Sequence, residues 1–309
     1  MELHSAATKL KSGYLVAFPT ETVYGLGADA ENLSALNRLY EVKGRPKNHP
    51  VIVHIGDISQ LHFWVDSIPE YATRLAKEFW PGPMTLLLQR STHALNAVTG
   101  GQEAVGIRMP SHPVALQLLN EFHQLGGHGV AAPSANRFGS VSPTTAEAVR
   151  EELSDFLYAD DLILDGGESE VGIESTIIDC TGPAPRILRP GAITAEMVLR
   201  VSGLAIEQDN SKIRFSGGLA KHYSPRAKVV INQIPKNGEG FIALSTIETP
   251  AEAIRLASPK SVEEFAHVLY VALRKADALQ LQKVCVLLPD GNGLANAIRD
   301  RVTRAASEG

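Results

Sequence analysis

Cationic side chains recur in a short segment that could hold an anion. Lys43, Arg45 and Lys47 stand at alternate positions of this segment. Pro46 and Pro50 stiffen its backbone, and a stiff loop loses less conformational entropy when its charges are fixed on a ligand. An arbitrary cationic triplet more often forms a solvated surface loop, because most surface charge only interacts with water. The rigidity therefore favours an anion-binding loop but does not identify the anion.

A polar turn precedes the cationic segment and adds hydroxyl groups to the predicted pocket. The apolar run 15–18 ends in a loop at 20–22, in which two threonines flank a glutamate. Gly25 and Gly27 follow, and glycine lets the backbone approach a ligand because it has no Cβ. Residues 51–54 form a second apolar run after the cationic segment. Strand, polar turn, cationic turn and second strand together predict an anion site.

Strand and helix patterns alternate around these segments and predict an α/β fold. Ser34 is the predicted cap of one helix, and Thr144-Thr-Ala-Glu147 is typical of a capping box that begins another. The predicted strands of this region are 14–18, 51–55, 84–88, 105–109, 130–132, 162–164, 176–179 and 186–188. The predicted helices are 5–12, 34–42, 69–79, one that begins at Pro113, one behind the capping box, and 195–201.

Residues 206–226 interrupt this pattern and are predicted to link two domains. Apolar periodicity disappears there, and the run 208–212 is polar throughout. Beyond it, Ser261 is predicted to cap a long helix. The predicted organisation is a larger domain at 1–205, the linker, and a smaller C-terminal α/β domain at 227–309. The remaining predicted elements are strands 228–231, 241–244 and 284–288 and a final helix at 294–305.

The composition is typical of a globular protein of the reducing cytoplasm. Of 309 residues, 44% are hydrophobic, which is enough for packed cores. The net charge of −5 argues against a nucleic-acid coat, although a local basic cavity is compatible with it. Cys180 and Cys285 lie far apart, which excludes a disulfide framework and a cysteine-rich zinc site. Because there is neither a membrane-length apolar run nor a signal-peptide pattern, we expect a cytoplasmic protein without membrane contact.

Six short motifs lie in a fixed order along the chain. They are residues 19–26 (PTETVYGL), 43–46 (KGRP), 105–110 (VGIRMP), 133–136 (PSAN), 172–176 (GIEST) and 188–191 (LRPG). Together they resemble the YrdC-like domain of threonylcarbamoyl-AMP synthases, and the tail is similar to that of the long, two-domain form. The resemblance covers nearly the whole chain. It implies an α+β YrdC-like domain in which a twisted mixed sheet surrounds a basic, concave cavity.

The resemblance implies a reaction that consumes L-threonine, bicarbonate and ATP. Its implied products are threonylcarbamoyl-AMP and pyrophosphate, and a downstream transferase complex would use the first product to form threonylcarbamoyladenosine in tRNA. Magnesium is expected to arrive with ATP, held mostly by phosphates and water. A dedicated protein metal site is not expected, because no His, Asp and Glu cluster in the sequence has metal-ligand spacing.

The same resemblance assigns roles to residues within or beside the motifs. Lys43 and Arg45 are the implied catalytic cations, placed on the triphosphate. His49 stands where the family pattern has a small polar residue such as asparagine. The implied threonine-binding residues are Thr22, His54, Arg108, Ala132 and Ser175. The implied ATP-binding residues are Lys43, Arg45, His49, Ala104, Ser134, Asn136, Ser142, Arg189 and Tyr223.

Most of these residue types also have a structural alternative. Arg108 could make a bidentate contact to the threonine carboxylate, or it could form a structural salt bridge. Ser134 and Asn136 suit a nucleotide contact, but both residue types also shape turns by bonding to their own backbone. A histidine at a strand end, such as His54, is more often a core residue, and Arg189 could be part of an interstrand ion pair.

Tyr223 is the most informative residue of the linker. An aromatic side chain in a polar, glycine-rich segment has little core to join. The resemblance implies that the linker folds over the cavity and that Tyr223 closes on the nucleotide, which would be a gating role.

Two other functions compete with the synthase. A double-stranded RNA-binding module could use a concave basic face to hold phosphates without catalysis, and weak RNA binding is compatible with a synthase as well. The acidic net charge argues against RNA binding as the main role. A carbamoyl-transfer domain like that of hydrogenase-maturation proteins would lie beside acylphosphatase-like and zinc-finger regions, for which this chain lacks the length and the cysteines.

Overall fold

Two β-sheets organise the protein. The structure, a computed structural model, describes residues 2–208, 213–218 and 222–307. Within these residues, thirteen strands form a nine-stranded mixed sheet and a four-stranded parallel sheet. The first sheet, in the order β7-β1-β2-β6-β3-β5-β4-β8-β9, contains β1 (Val16–Phe18), β2 (Gly25–Asp29), β3 (Ile52–His54), β4 (Met84–Gln89), β5 (Ala104–Arg108), β6 (Val130–Ala131), β7 (Leu162–Ile163), β8 (Thr176–Asp179) and β9 (Arg186–Arg189). The second, in the order β10-β13-β11-β12, contains β10 (Lys228–Ile231), β11 (Gly240–Ile242), β12 (Ile254–Ala257) and β13 (Lys283–Val286).

Ten α-helices lie among the described residues. They are α1 (Glu2–Lys11), α2 (Leu33–Lys43), α3 (Leu61–Trp64), α4 (Glu70–Phe79), α5 (Asn96–Thr99), α6 (Pro113–Gln124), α7 (Ala146–Leu153), α8 (Ala195–Ser202), α9 (Val262–Ala278) and α10 (Leu294–Ala306). The predicted fold class, an α/β domain with a mixed sheet joined to a smaller α/β domain, is confirmed.

Helices cover both faces of the nine-stranded sheet. Successive residues of a strand point to opposite faces, so Ala17 of β1 joins one buried cluster whereas Val16 and Phe18 join another. The first cluster also contains apolar residues of α2 and α4, and the second contains those of α1 and α6. Because the sheet is buried on both faces, its strand ends supply rigid positions for polar side chains.

Two of the three predicted helix caps are wrong by one or two residues. Asn32, rather than Ser34, caps α2, because its side-chain oxygen accepts a hydrogen bond from the backbone N–H of Ser34 at 3.0 Å. Thr145, rather than Thr144, caps α7. Neighbouring serine, threonine and asparagine residues are all competent caps. Which of them caps therefore depends on where the chain leaves its extended conformation, which the local sequence does not determine.

Strand β2 is absent from the predicted elements, because its two glycines suggest close approach to a ligand rather than a strand. β2 pairs with β1 and β6 in antiparallel register. A Cβ on Gly27 would lie 2.8 Å from a methyl carbon of Val130 and 2.9 Å from the ring of Phe18. Glycine at this position therefore allows tight packing inside the sheet.

The C-terminal domain consists of one parallel sheet with two long helices packed against it. Helices α9 and α10 share one buried cluster with Val229, Ile242 and Val284 of the strands. Ser261 caps α9 as predicted, since its side chain accepts a hydrogen bond from the N–H of Glu264. Strand β12 is absent from the predicted elements. Its four residues are mostly half-buried at the sheet edge and have little apolar periodicity.

The predicted linker lies between the last strand of the first sheet and the first strand of the second. Most of the polar run 208–212 lies outside the described residues. Ile213 and Phe215 pack on an apolar patch of the first sheet that includes Leu87 and Ile177. The segment 213–218 is thus attached to the larger domain, while the domain boundaries at 205 and 227 stay a prediction. None of the described helices is both long and apolar enough to span a membrane.

Candidate active site

One cavity contains most of the predicted binding residues. Its walls come from strand ends of the first sheet, from the cationic loop and from the segment that joins the two domains. The predicted residues that line it are Thr22, Arg45, His54, Arg108, Ala132, Ser134, Ser175, Arg189 and Tyr223. The structure therefore brings together residues that are as much as 201 positions apart in the sequence.

Parallel pairing of β3 and β5 places His54 beside Arg108. The two residues are direct register partners at the ends of their strands. A carboxylate oxygen of Glu21 lies 2.8 Å from Nη2 of Arg108, and the other oxygen accepts a hydrogen bond from the backbone N–H of Ser111 at 3.1 Å. Nε of Arg108 is buried and has no hydrogen-bond acceptor among the described residues. Arg108 is therefore fixed by Glu21 and retains a donor for a ligand.

Ser175 and Arg189 hold each other in the adjacent wall. Arg189 donates from Nη2 to Ser175 Oγ at 3.0 Å and from Nε to the Ser175 carbonyl at 3.0 Å. A third hydrogen bond runs from Nη1 to the carbonyl of Ser216, at 2.9 Å. Ser175 Oγ also lies 2.8 Å from the hydroxyl oxygen of Thr85 on β4. Arg189 thus bridges the large sheet and the linker through uncharged hydrogen-bond acceptors.

Arg45 enters the cavity from the cationic loop behind α2. Its Nη2 donates to the carbonyl of Pro50 at 2.8 Å, and its Nε to that of His49 at 3.4 Å. Burial lowers the pKa of Arg45 to about 10, an effect that the neighbouring hydroxyls of Tyr40 and Tyr223 oppose. The guanidinium therefore remains charged at neutral pH.

Short polar side chains and the chain that follows β6 complete the cavity walls. Thr22 is fully buried, and its hydroxyl oxygen lies 2.9 Å from that of Thr20. Ala132 and Ser134 line the cavity from the chain that follows β6. The backbone N–H of Ala132 bonds to the carbonyl of Ile52 at 2.9 Å. This bond sets the distance between the wall after β6 and β3.

The linker forms the remaining wall through Tyr223 and its neighbours. Tyr223 has a left-handed backbone conformation (φ 60°) and is 1% exposed. Its ring stacks on that of Tyr270 in the C-terminal domain, with centroids 5.8 Å apart. The expectation that this aromatic residue has little core to join is therefore wrong, because the second domain supplies one. Its buried hydroxyl makes no hydrogen bond among the described residues, and burial raises its pKa.

The other predicted residues lie outside the cavity lining and support it from behind. Lys43 donates to the carbonyl of Ser134 at 2.5 Å and to that of Asn136, and burial lowers its pKa well below the usual range. The amide of Asn136 donates to its own turn, at the carbonyls of residues 137 and 140, as the structural alternative predicts. Ser142 donates to Glu174 at 2.6 Å.

His49 and Ala104 also lie away from the cavity lining. The ring of His49 packs edge-on against Phe138, and burial lowers its pKa. Ala104, at the start of β5, faces a smaller apolar pocket that it shares with the linker segment 213–216. Their nucleotide contacts stay a prediction.

Several lining residues were missed although they stand next to predicted ones. Thr20 and Glu174 belong to the motifs at 19–26 and 172–176, and His222 immediately precedes Tyr223. Ser216 and Gly217 also line the cavity. Two of these five residues therefore lie in a motif, and a third adjoins a predicted residue. The sequence does not show which residues near a predicted one face the cavity.

A resident metal does not fit the groups that are present. Among the described residues, no three His, Cys, Asp or Glu side chains are grouped closely enough to hold a metal ion. Glu174 is the carboxylate that lines the cavity, and both its oxygens already accept hydrogen bonds from side chains. A metal that enters bound to a polyphosphate remains compatible with this geometry, because phosphates and water would be its ligands.

We expect the buried histidines to make folding stability depend on pH. Burial lowers the pKa of His54 to about 3, and the charge of Arg108 adds to this; burial likewise lowers the pKa of His222 to about 3. In the unfolded chain a histidine has a pKa near 6.5. Between these values the unfolded state binds more protons, so stability is full above about pH 6.5 and decreases as the pH falls towards 3.

The measurement is the free energy of unfolding in urea between about pH 5 and 6.5, above the range in which carboxylates titrate. Replacing His54 with glutamine should reduce the pH slope by as much as about 1.4 kcal/mol per pH unit. An unchanged slope in His54→Gln would contradict the buried neutral histidine.

Two family models together match nearly the whole chain. The family model of Sua5, YciO and YrdC proteins, described as "Telomere recombination", matches residues 8–191, and the model "Threonylcarbamoyl-AMP synthase, C-terminal domain" matches residues 193–307. The threonylcarbamoyl-AMP synthase of Pyrococcus abyssi is 36% identical over 327 residues, covering 99% of this chain and 94% of the relative. That of Bacillus subtilis is 38% identical over 328 residues, covering 99% and 93%.

A solved structure extends this similarity to the fold. The crystal structure of P. abyssi Sua5 complexed with L-threonine has a TM-score of 0.88 and 35% identity to this protein. The match covers 99% of this chain and 94% of that chain, so it includes both domains and the segment between them. The chain therefore belongs to the Sua5/YrdC family of enzymes, the threonylcarbamoyl-AMP synthases.

Proposed function

We propose that this enzyme makes L-threonylcarbamoyl-AMP from L-threonine, bicarbonate and ATP, with release of pyrophosphate. The observation that carries the proposal is a single cavity lined by three buried arginines, Arg45, Arg108 and Arg189, together with the hydroxyls of Thr22 and Ser175. Triphosphates and carboxylates both need cations and N–H donors. The names of the relatives and the threonine complex of P. abyssi Sua5 support this choice of substrates.

The threonine would lie at the end of the cavity formed by β3 and β5. Arg108 has a buried, unpaired Nε and is oriented by Glu21, so it is prepared to bind a carboxylate. His54 is neutral and its buried Nδ1 has no hydrogen-bond partner among the described residues, so a polar group of the substrate could pair with it. The hydroxyls of Thr22 and Ser175 suit the amine and hydroxyl of threonine.

The nucleotide would lie against the other two arginines. Arg45 and Arg189 are held by neutral acceptors, so their charges are available to the phosphates. Lys43 orients the carbonyls of the 134–136 loop and thereby positions Ser134. The ring of Tyr223 would cover the nucleotide from the linker side.

The proposed chemistry needs positioning and charge stabilisation rather than a protein nucleophile. The amine of threonine forms a C–N bond with the carbon of bicarbonate, and water leaves. An oxygen of the resulting carboxylate then attacks the α-phosphorus of ATP, and the bond to pyrophosphate breaks. Negative charge increases on the phosphate oxygens in this step, so preorganised guanidinium groups lower its barrier.

The wider setting of the reaction is part of the same proposal. Magnesium would enter with ATP, and the phosphates and water would remain its main ligands. The product would pass to a downstream transferase complex that forms threonylcarbamoyladenosine in tRNA, which places the reaction in the cytoplasm. The names of the relatives support this role, because a threonylcarbamoyl-AMP intermediate is an activated donor of the threonylcarbamoyl group.

The main test is pyrophosphate release from ATP with threonine and bicarbonate each left out in turn. Release is expected to require both, because the nucleophile forms only from the two together. Release that ignores threonine, or no release, would overturn the proposal. Salt-sensitive binding of double-stranded RNA without turnover would then favour the RNA-binding function.

Replacement of Arg108 by lysine should weaken threonine binding selectively. Lysine keeps the charge but loses the planar pair of donors. We expect the KM for threonine to rise about 10- to 100-fold, as for the loss of a charged hydrogen bond, with little change in the KM for ATP. Arg186→Lys is the matched control, because Arg186 pairs with Asp179 and Glu207 outside the cavity. An equal rise in both KM values would contradict a threonine-specific role.

Tyr223 should act on the nucleotide as a cover. The variant Gly217→Ala would place a methyl group 2.2 Å from the Tyr223 hydroxyl and would force the cover open. We therefore expect Gly217→Ala to raise the KM for ATP and Tyr223→Phe to have a smaller effect in the same direction. Tyr14→Phe, outside the cavity, serves as the control. Unchanged turnover and ATP affinity in both linker variants would disprove the gating role.

A further inference from the structure

A buried ion pair joins the C-terminal domain to the cavity wall. Arg301 of α10 donates from Nε to Glu174 Oε2 at 2.8 Å, and the hydroxyl of Tyr270 on α9 donates to the same oxygen at 2.9 Å. Ser142 donates to the other oxygen at 2.6 Å. Arg301 and Tyr270 are fully buried. The carboxylate of Glu174 lines the cavity, yet two side chains from the other domain set its orientation.

Arg301 also contacts the backbone next to two predicted binding residues, Ser175 and Arg189. Its Nη2 lies 3.1 Å from the carbonyl oxygen of Pro190 and 3.5 Å from that of Glu174. Glu174 immediately precedes Ser175, and Pro190 immediately follows Arg189. One guanidinium group therefore joins the two segments that carry Ser175 and Arg189. These two residues bond to each other inside the cavity.

The same arginine supports the linker. The guanidinium carbon of Arg301 lies 5.3 Å from the ring centroid of Tyr223, a cation–π distance. The ring of Tyr223 stacks on Tyr270, which shares Glu174 with Arg301. The two strand segments and Tyr223 of the linker thus all contact the buried guanidinium group of Arg301.

Stability alone does not explain this ion pair. Burial raises the pKa of Glu174, but the charges of Arg301 and Arg189 and the hydrogen bond from Ser142 outweigh burial and lower it to about 2. Glu174 is therefore ionised. Taking both charges out of water costs about as much as their attraction returns, and apolar residues of similar volume often pack equally well. The main contribution of Arg301 is therefore to hold its neighbours in position rather than to add stability.

We propose that Arg301 is a positioning residue of the site, through which the C-terminal domain fixes Arg189 and supports Tyr223 in the nucleotide part and fixes Ser175 at the border with the threonine part. Arg301 does not line the cavity, so it acts through these neighbours rather than on a substrate. The proposal rests on the proposed function for the identity of the nucleotide.

The test removes both charges together. In the full chain, Arg301→Met leaves the buried Glu174 carboxylate without its guanidinium partner, so this variant is expected to lose stability. Asp300 also pairs with Arg301 at 2.6 Å, but it keeps its bond from Arg304 at 2.9 Å when Arg301 is replaced. The double variant Arg301→Met/Glu174→Gln removes both buried charges, and its unfolding temperature should return close to that of the wild type. We nevertheless expect it to bind ATP about 10- to 100-fold more weakly in calorimetry, with kcat/KM lowered to match, because the neighbouring residues are misplaced.

Two further variants keep the proposal falsifiable. Arg301→Lys retains the charge without the planar set of donors, so it should remain folded and still lose ATP affinity. This variant therefore tests the proposal even if the double variant does not fold. Arg299→Met on the same helix, where the side chain bonds to Asn296, is the matched control and should bind ATP normally. Wild-type ATP affinity in the folded Arg301 variants would overturn the proposal.

The outcome is distinguishable from failure of the proposed function. If the wild type releases no pyrophosphate in response to threonine, the proposed reaction is wrong. A loss of direct ATP affinity in the Arg301 variants would still support the positioning role, because calorimetry does not depend on turnover.

Discussion

Burial of positive charge is the constraint on which the rest of the structure depends. Arg45, Arg108 and Arg189 lie in the wall of one cavity and are almost completely removed from water. Burial disfavours a cation, so each guanidinium needs fixed acceptors nearby. Backbone carbonyls hold Arg45 and Arg189, whereas Glu21 pairs with Arg108. The acceptors of Arg45 and Arg189 are uncharged, whereas the carboxylate of Glu21 offsets the charge of Arg108.

Residues of both domains pack together beside this site. Val23 and Ile173 of the larger domain lie in the same buried cluster as the core of the C-terminal helices. Gly172 has a positive φ, and a Cβ there would lie 2.4 Å from the Cα of His267 on α9. The glycine therefore lets the loop before β8 contact the helix directly. This close contact is what allows Tyr270 and Arg301 to reach Glu174.

Local patterns could predict strand ends and loop chemistry, and these account for much of the site. His54 and Arg108 stand at the ends of two predicted strands, and the parallel register then brings them together. The contacts that depend on distant parts of the chain could not be predicted. Glu174 and Arg301 are separated by 127 positions, and nothing near either residue indicates the other. The ring of Tyr223 likewise packs on Tyr270 of the C-terminal domain, and nothing in the linker sequence indicates this partner.

The separation between Glu174 and Arg301 has a consequence for synthesis on the ribosome. The larger domain can begin to fold as soon as its strands have emerged, since domains usually fold as units from the N-terminus. At that time the carboxylate of Glu174 has no guanidinium partner, and water must solvate it. The cavity wall becomes rigid only after α10 has been translated and has docked. A nascent chain that ends before Arg301 would therefore have the fold of the larger domain without a finished nucleotide wall.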